Sequence, residues 1–257
     1  MVAVSIVPQE TFVKVVGGDL IEVITMIPPG NSPENYAPSP RELQMLSKSR
    51  VYFSIGVPTE KANIIPKLAS INENIELIPL EAEVSKVYKD REFSPRERDP
   101  HIWLSPKRVK VMIEVIKDKL CEMDSENEEI YIKNAKEYIE KLDKLDEEVK
   151  KSIKDLPKKG FFVYHPAFGY FAEDYGLKMI AIEKEGKEAT IEDIKRIIEC
   201  AKKENIKTIF YQAEIDSKQS RVIAQEIKGS TQVIAPLAPN YIENIKNMAN
   251  AFVNSVK

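Results

Sequence analysis

Two histidines are all that the chain contains, and each stands in a proline-punctuated loop: Asp99-Pro-His101-Ile-Trp103 and Tyr164-His165-Pro-Ala-Phe-Gly169. Neutral imidazole is the commonest side-chain metal ligand, and a metal site can draw its ligands from loops far apart in sequence. His165 directly follows the apolar run Phe161–Tyr164. In open α/β sheets, ligands gather beyond the carboxyl ends of strands, which is where such a residue falls. His101 precedes a helix-forming segment with Pro106 near its first turn. A third loop, Pro28-Pro-Gly30-Asn-Ser-Pro33-Glu34-Asn-Tyr36-Ala-Pro38-Ser-Pro40, is the densest proline cluster and carries Glu34 in its middle. Proline stiffens a loop and lowers the entropy of holding a side chain in place, which suits a preorganised ligand. Glu183, just past the run Met179–Ile182, is a further candidate as a ligand or as support for one. The competing reading leaves each imidazole hydrogen-bonded within its own turn and both glutamates solvated.

These loops must be held by something, and the pattern names it. Short β-branched runs recur at Val2–Val7, Ile21–Thr25, Val51–Ile55, Ile75–Pro79, Phe161–Tyr164, Met179–Ile182, Thr208–Tyr211 and Gln232–Ala235, with helix-period segments between most of them. Alternating strands and helices predict an α/β protein with mainly parallel sheets, their strands apolar throughout because both faces are covered. The alternation stops from Ser125 to Leu156. There, apolar residues fall at Ile132, Ala135, Ile139, Leu142, Leu145, Val149 and Ile153, the spacing of one long amphipathic helix. Ser125-Glu-Asn-Glu128 has capping-box spacing for its start, and Pro157 with Gly160 is expected to end it. A helix of about 30 residues spans about 45 Å. It is expected to join two lobes as a stiff strut that permits little hinge bending: an N-terminal lobe over residues 1–124, the linking helix over 125–157 and a C-terminal lobe over 158–257.

Bulk properties narrow the classes. At 257 residues, with 43% apolar and 31% charged residues, the chain has the composition of a soluble globular protein with room for two cores. A net charge of −3 argues against nucleic acid as a partner. Cys121 and Cys200 lack metal-knuckle spacing and are expected on core-facing helix positions as free thiols. No run of about 20 apolar residues is present. Met1-Val-Ala-Val-Ser-Ile opens in strand-like sequence without a basic leader, which alone reads as cytoplasmic. Abundant Lys, Glu and Ile with little Gln point toward a thermophile.

At its loops the sequence resembles the zinc- and manganese-binding solute receptors of ABC transporters, the TroA/ZnuA-like family. The resemblance runs over nearly the whole chain: Ser5-Ile-Val-Pro-Gln, Val16-Gly-Gly-Asp19, the Pro28 to Pro40 loop, Gly56-Val-Pro-Thr-Glu60, Asp99-Pro-His101-Ile-Trp-Leu-Ser-Pro106, Tyr131-Ile-Lys-Asn-Ala135, and Phe162-Val-Tyr-His165-Pro-Ala-Phe-Gly-Tyr170. It implies two lobes joined by one long helix and a zinc or manganese ion held between them. By motif, His101 and His165 match ligand positions, and Glu34 stands where the family usually has His. Two further departures remove carboxylates: Ala235-Pro-Leu237 stands where many members read Asp-Pro-Leu, and Gln212 where Glu is common. Two His and one Glu remain an accepted zinc set with a fourth position open.

The resemblance implies a binding protein and no enzyme: an extracytoplasmic monomer that captures the cation and delivers it to a cognate permease and its ATPase. Met1 would then stand at the head of a trimmed chain whose signal or lipid anchor has been removed. A hydrolytic metalloenzyme could use the same ligands, but no HExxH, GxSxG or glycine-rich phosphate loop supports one. The other alternative is a receptor of this fold that has lost tight metal binding and holds a different ligand or partner.

Overall fold

The eight β-branched runs become the strands of two four-stranded parallel sheets, seen in a computed structural model that describes residues 1–156, 159–183, 187–215 and 218–255. The chain forms two units. The first holds Met1–Asp90, Pro106–Lys144 and Leu237–Ile242; the second holds Arg91–Ser105, Leu145–Pro236 and Glu243–Lys257. These units cut the chain differently from a sequential division at 124 and 158, because two short segments pack with the other half. Tyr170 binds the backbone at both Arg91 and Asp99, keeping that stretch in the second unit. Thr11 binds the Pro239 carbonyl and Phe12 meets Tyr241 edge-on at 5.0 Å, keeping Leu237–Ile242 in the first.

In the first unit, β1 (Val2–Val4), β2 (Val23–Thr25), β3 (Val51–Ser54) and β4 (Glu76–Pro79) lie in the order β2-β1-β3-β4, with α1 (Val7–Gly17), α2 (Pro40–Leu46), α3 (Leu68–Ile71), α4 (Leu80–Ser85) and α5 (Pro106–Met123) beside them. The run Val2–Val7 does not stay extended, because Pro8 sits in the first turn of α1 and favours helix there. Tyr52, Ile24, Met26, Leu46 and Ile64 share one buried cluster. β1 and β3 lie side by side where the winding reverses, the crevice in which open α/β sheets take ligands. Here the chain fills it. Glu60, fully buried, accepts the N–H of Ile55 at 2.9 Å, the N–H of Gly56 at 2.6 Å and the hydroxyl of Ser5. Gly56 adopts φ 88°, a conformation that a side chain would strain. Burial raises the Glu60 carboxyl to about 7; Glu81 pushes the same way, while Ser5 and the two N–H groups pull it back.

One helix, α6 (Glu128–Ile153, 26 residues), begins in the first unit and ends in the second. Its start is not the expected capping box. Ser125–Asn127 form a 3₁₀ turn, and the Asp124 carboxylate takes hydrogen bonds from Asn127 and from the Tyr131 hydroxyl. The buried stripe runs Tyr131, Ala135, Tyr138, Leu142, Leu145, Val149, Ile153, so the aromatic Tyr131 and Tyr138 displace Ile132, which is 45% exposed, and Ile139 from the core face. Gly160 opens the next strand instead of closing this helix, and Pro157 lies outside the described residues.

The second unit opens with a hairpin that the periodicity did not predict, β5 (Glu92–Ser94) and β6 (Glu97–Arg98). It continues with β7 (Gly160–Val163), α7 (Gly169–Asp174), β8 (Lys178–Ala181), α8 (Ile191–Lys203), β9 (Thr208–Gln212), α9 (Lys218–Glu226), β10 (Ser230–Ile234) and α10 (Tyr241–Ser255, from Glu243 in this unit), in the sheet order β10-β9-β7-β8. Read by position in the chain, the two sheets have the same strand order. Their edge strands are not apolar throughout: β4 and β10 each expose residues, because an edge has a neighbour on one side only. Cys121 and Cys200 are half-buried free thiols, and Cys200 packs against the core of the second unit. Under the second sheet, Phe252 stacks on Phe161 at 4.2 Å, meets Phe168 and Phe210 near right angles and Phe171 at 62°.

Phe252→Ala is expected to destabilise the second unit by about 3–5 kcal/mol. Denaturation followed by fluorescence of Trp103, the sole tryptophan and a residue of that unit, checks this. For Glu60 the sign follows from its raised carboxyl. The group costs nothing while protonated, and its cost grows as pH rises from the ordinary value of 4.5 to about 7. Over that interval the natural chain should lose about 3 kcal/mol of unfolding free energy relative to Glu60→Gln. A pH-independent difference would contradict the burial argument.

Candidate metal centre

His165 emerges where β7 ends. Tyr164 still donates its N–H to Phe210 of β9 at 2.8 Å, and Glu183 donates its N–H back to Tyr164 at 2.9 Å, so the sheet holds the residue on each side of its turn. The imidazole is nine-tenths buried, and its Nδ1 lies 3.0 Å from the Glu183 carboxylate, itself 10% exposed. Glu183 is therefore not a solvated strand-end charge.

His101 caps a 3₁₀ turn, Ile102–Leu104, in the loop after β6. Asp99, two residues earlier and fully buried, takes the His101 backbone N–H at 3.0 Å and faces Nδ1 of the ring at 2.8 Å with the same oxygen. Its other oxygen faces Arg91 Nε at 3.5 Å, and Arg91 also pairs with Glu173 at 3.2 Å. Tyr170 of α7 closes the frame, accepting the Arg91 N–H and donating to the Asp99 carbonyl, both at 3.0 Å. Gly169 is required at this point. A Cβ there would lie 2.5 Å from Arg91 Nε and 2.7 Å from Asp99 Oδ2, so any side chain would push the ion pair apart. Trp103 packs beside the His101 ring at 5.1 Å and ties its own N–H to the Pro236 carbonyl at 3.0 Å.

The two rings meet head to head, with Nε2 of His101 3.2 Å from Nε2 of His165. Each Nδ1 faces a carboxylate, which favours the tautomer with its proton on Nδ1 and a lone pair on Nε2. Two such lone pairs repel at this distance unless a positive charge joins them. A cation bound at about 2.0–2.1 Å by both nitrogens would need them about 3.3 Å apart in a tetrahedral site and about 2.9 Å apart at right angles. The observed separation falls within that interval.

Of the residues singled out in the sequence, the second unit thus brings together His101, His165 and Glu183. Glu34 belongs to the first unit, exposed in its proline loop, with its N–H on Ser32 Oγ at 3.3 Å. That loop is pinned on either side of Glu34. Thr59 donates its N–H to the Pro33 carbonyl at 3.0 Å, and Asn63 donates to the Tyr36 carbonyl at 2.8 Å. The Tyr36 hydroxyl reaches Glu42, which with Ser39 forms the capping box of α2. Asp99, Arg91 and Tyr170 were missed as site residues, although the spacing Asp-Pro-His was visible as a carboxylate two residues before a candidate ligand.

The profile described as "ZnuA: Zinc-uptake complex component A periplasmic" matches residues 2–255. A solved structure titled "Crystal structure of ZnuA" superposes with a TM-score of 0.94 at 34% identity, covering 100% of this chain and 98% of that one. The "High-affinity zinc uptake system protein ZnuA" of Bacillus subtilis is 28% identical over 248 residues, 92% of this chain and 78% of its own length. The "Manganese ABC transporter substrate-binding lipoprotein PsaA" of Streptococcus anginosus is also 28% identical, over 225 residues, 83% of this chain and 72% of its own. With a matching profile over nearly its whole length and a near-complete structural superposition, the chain belongs to the ZnuA family, whose members are solute-binding transport components and not enzymes.

Proposed function

We propose that this chain is the extracytoplasmic binding subunit of an ABC metal importer and that it captures a divalent cation, zinc or manganese, on Nε2 of His101 and Nε2 of His165, with Glu34 as third ligand. The observation that carries the reading is the head-to-head pair: two ring nitrogens 3.2 Å apart, each ring backed by a carboxylate, Asp99 or Glu183. Such carboxylate-histidine pairs fix the ring and raise its basicity toward a metal. Glu34 enters on its motif and on the stiffness of its loop, which lowers the entropy cost of holding a ligand. Two imidazoles and a carboxylate suit zinc and are acceptable to manganese, and the nitrogen spacing lies between the tetrahedral and right-angled cases.

In this reading Asp99 and Glu183 do not touch the cation. They hold the ring protons on the far nitrogens, so the near nitrogens stay available, and they offset the charge that arrives. The loaded protein works as a monomer in the periplasm or tethered to the outer face of the membrane. It passes the ion to a cognate permease driven by its ATPase. Among the described residues no helix is long and apolar enough to cross a membrane.

Calorimetric titration with zinc and with manganese tests the reading. His101→Ala and His165→Ala are each expected to weaken binding tenfold or more, and Asp99→Asn by about tenfold through the orientation of His101. Affinity should also fall on acidification, because metal binding and protonation compete for the same ligand atoms. Unchanged affinity in both histidine variants would sink the site. A natural chain that binds neither metal would favour a receptor of this fold that has given up tight metal binding for another ligand or partner.

A further inference from the structure

Gln212 is the last residue of β9, 4% exposed, and its side-chain Oε1 is buried without a hydrogen-bond partner among the described residues. A buried carbonyl oxygen left unpaired costs stability, and folded proteins rarely leave one without a use. Its place in the sheet indicates the use. Val163 of β7 stands level with Phe210 of β9 and with Ala181 of β8. Extended two residues past Val163, the β7–β9 register puts His165 level with Gln212, and the side-chain contact of His165 with Glu183 completes a row across three adjacent strand ends. Residues level with each other in a parallel sheet project to the same face. Glu183 already meets His165 from one side of this row. Gln212 flanks it on the other, and Ile234, level with Gln212 on β10, carries no donor.

We infer that Gln212 is a further metal-site residue, its Oε1 serving as a neutral oxygen donor toward the cation that His101 and His165 hold, either directly or through a metal-bound water. This rests on the metal reading given above. A carboxamide oxygen adds a hard ligand without adding charge, so it favours manganese more than zinc, which takes imidazole readily. The unpaired oxygen is then the cost that the metal-free protein carries to keep a donor ready.

Three measurements on the full chain decide it: calorimetric affinities for Mn²⁺ and Zn²⁺, the visible absorption of Co²⁺ as a probe of coordination, and the thermal midpoint of the metal-free protein. Gln212→Leu should weaken Mn²⁺ binding tenfold or more and Zn²⁺ binding less, and should alter the Co²⁺ bands. It should leave the metal-free midpoint unchanged or raised, since a buried unpaired oxygen is gone. Gln212→Glu, which keeps an oxygen and adds charge, should restore or tighten Mn²⁺ binding. If Gln212→Leu binds both metals as the natural chain does, with the same Co²⁺ spectrum, the inference fails while the histidine site stands. If it weakens both metals equally and lowers the metal-free midpoint, and Gln212→Glu does not rescue Mn²⁺, the residue is structural and the inference fails again. If the natural chain binds none of the three ions, the metal reading falls and this inference with it.

Discussion

Two imidazole nitrogens 3.2 Å apart, each ring with a carboxylate beside its other nitrogen, form an arrangement that a positive charge between them would join. Much of the second unit serves to hold that arrangement. Asp99 is buried and bound to the His101 backbone as well as its ring, so the loop cannot turn the imidazole without breaking two hydrogen bonds. Arg91 faces the other oxygen of Asp99, Tyr170 binds the backbone on both sides of that pair, and Gly169 stays bare so that Arg91 can approach. On the other side, the end of a parallel ladder presents His165 and Glu183 in register. The strands themselves rest on the aromatic packing around Phe252.

The two sheets share a strand order but use the crevice at the reversal of winding differently. In the second unit the strand at that crevice leads into an imidazole set between the Glu183 carboxylate and the His101 ring. In the first, Glu60 turns inward and takes the N–H groups that a bound anion would otherwise find. Its carboxyl is raised to about 7 by complete burial, with Ser5 and two backbone donors keeping the rise from being larger.

Much of this was legible in the sequence because it depends on short-range rules. All eight sheet strands lay within the β-branched runs or overlapped them, and both histidines were marked by proline-bounded loops following or preceding regular elements. What escaped detection depends on contacts far apart in the chain. The hairpin Glu92–Arg98 is too short and too polar for a periodic signal. Asp99 and Arg91 acquire their roles only through Tyr170 and Gly169, some 70 residues away along the chain. The face of α6 was misjudged at its first turns because tyrosine, counted as less apolar than isoleucine, buries more area while its hydroxyl finds Asp124. Glu183 was recognised as a candidate, yet only the fold shows it pressed against His165 and largely shielded from water.

Glu60 has one more consequence, for small anions in solution. A crevice lined with free N–H groups attracts phosphate and small organic acids. In the first unit those groups are already taken by a side chain that cannot diffuse away. The strand ends of the first sheet are thereby closed to such anions, and the fold answers its own demand for a negative charge from within the chain.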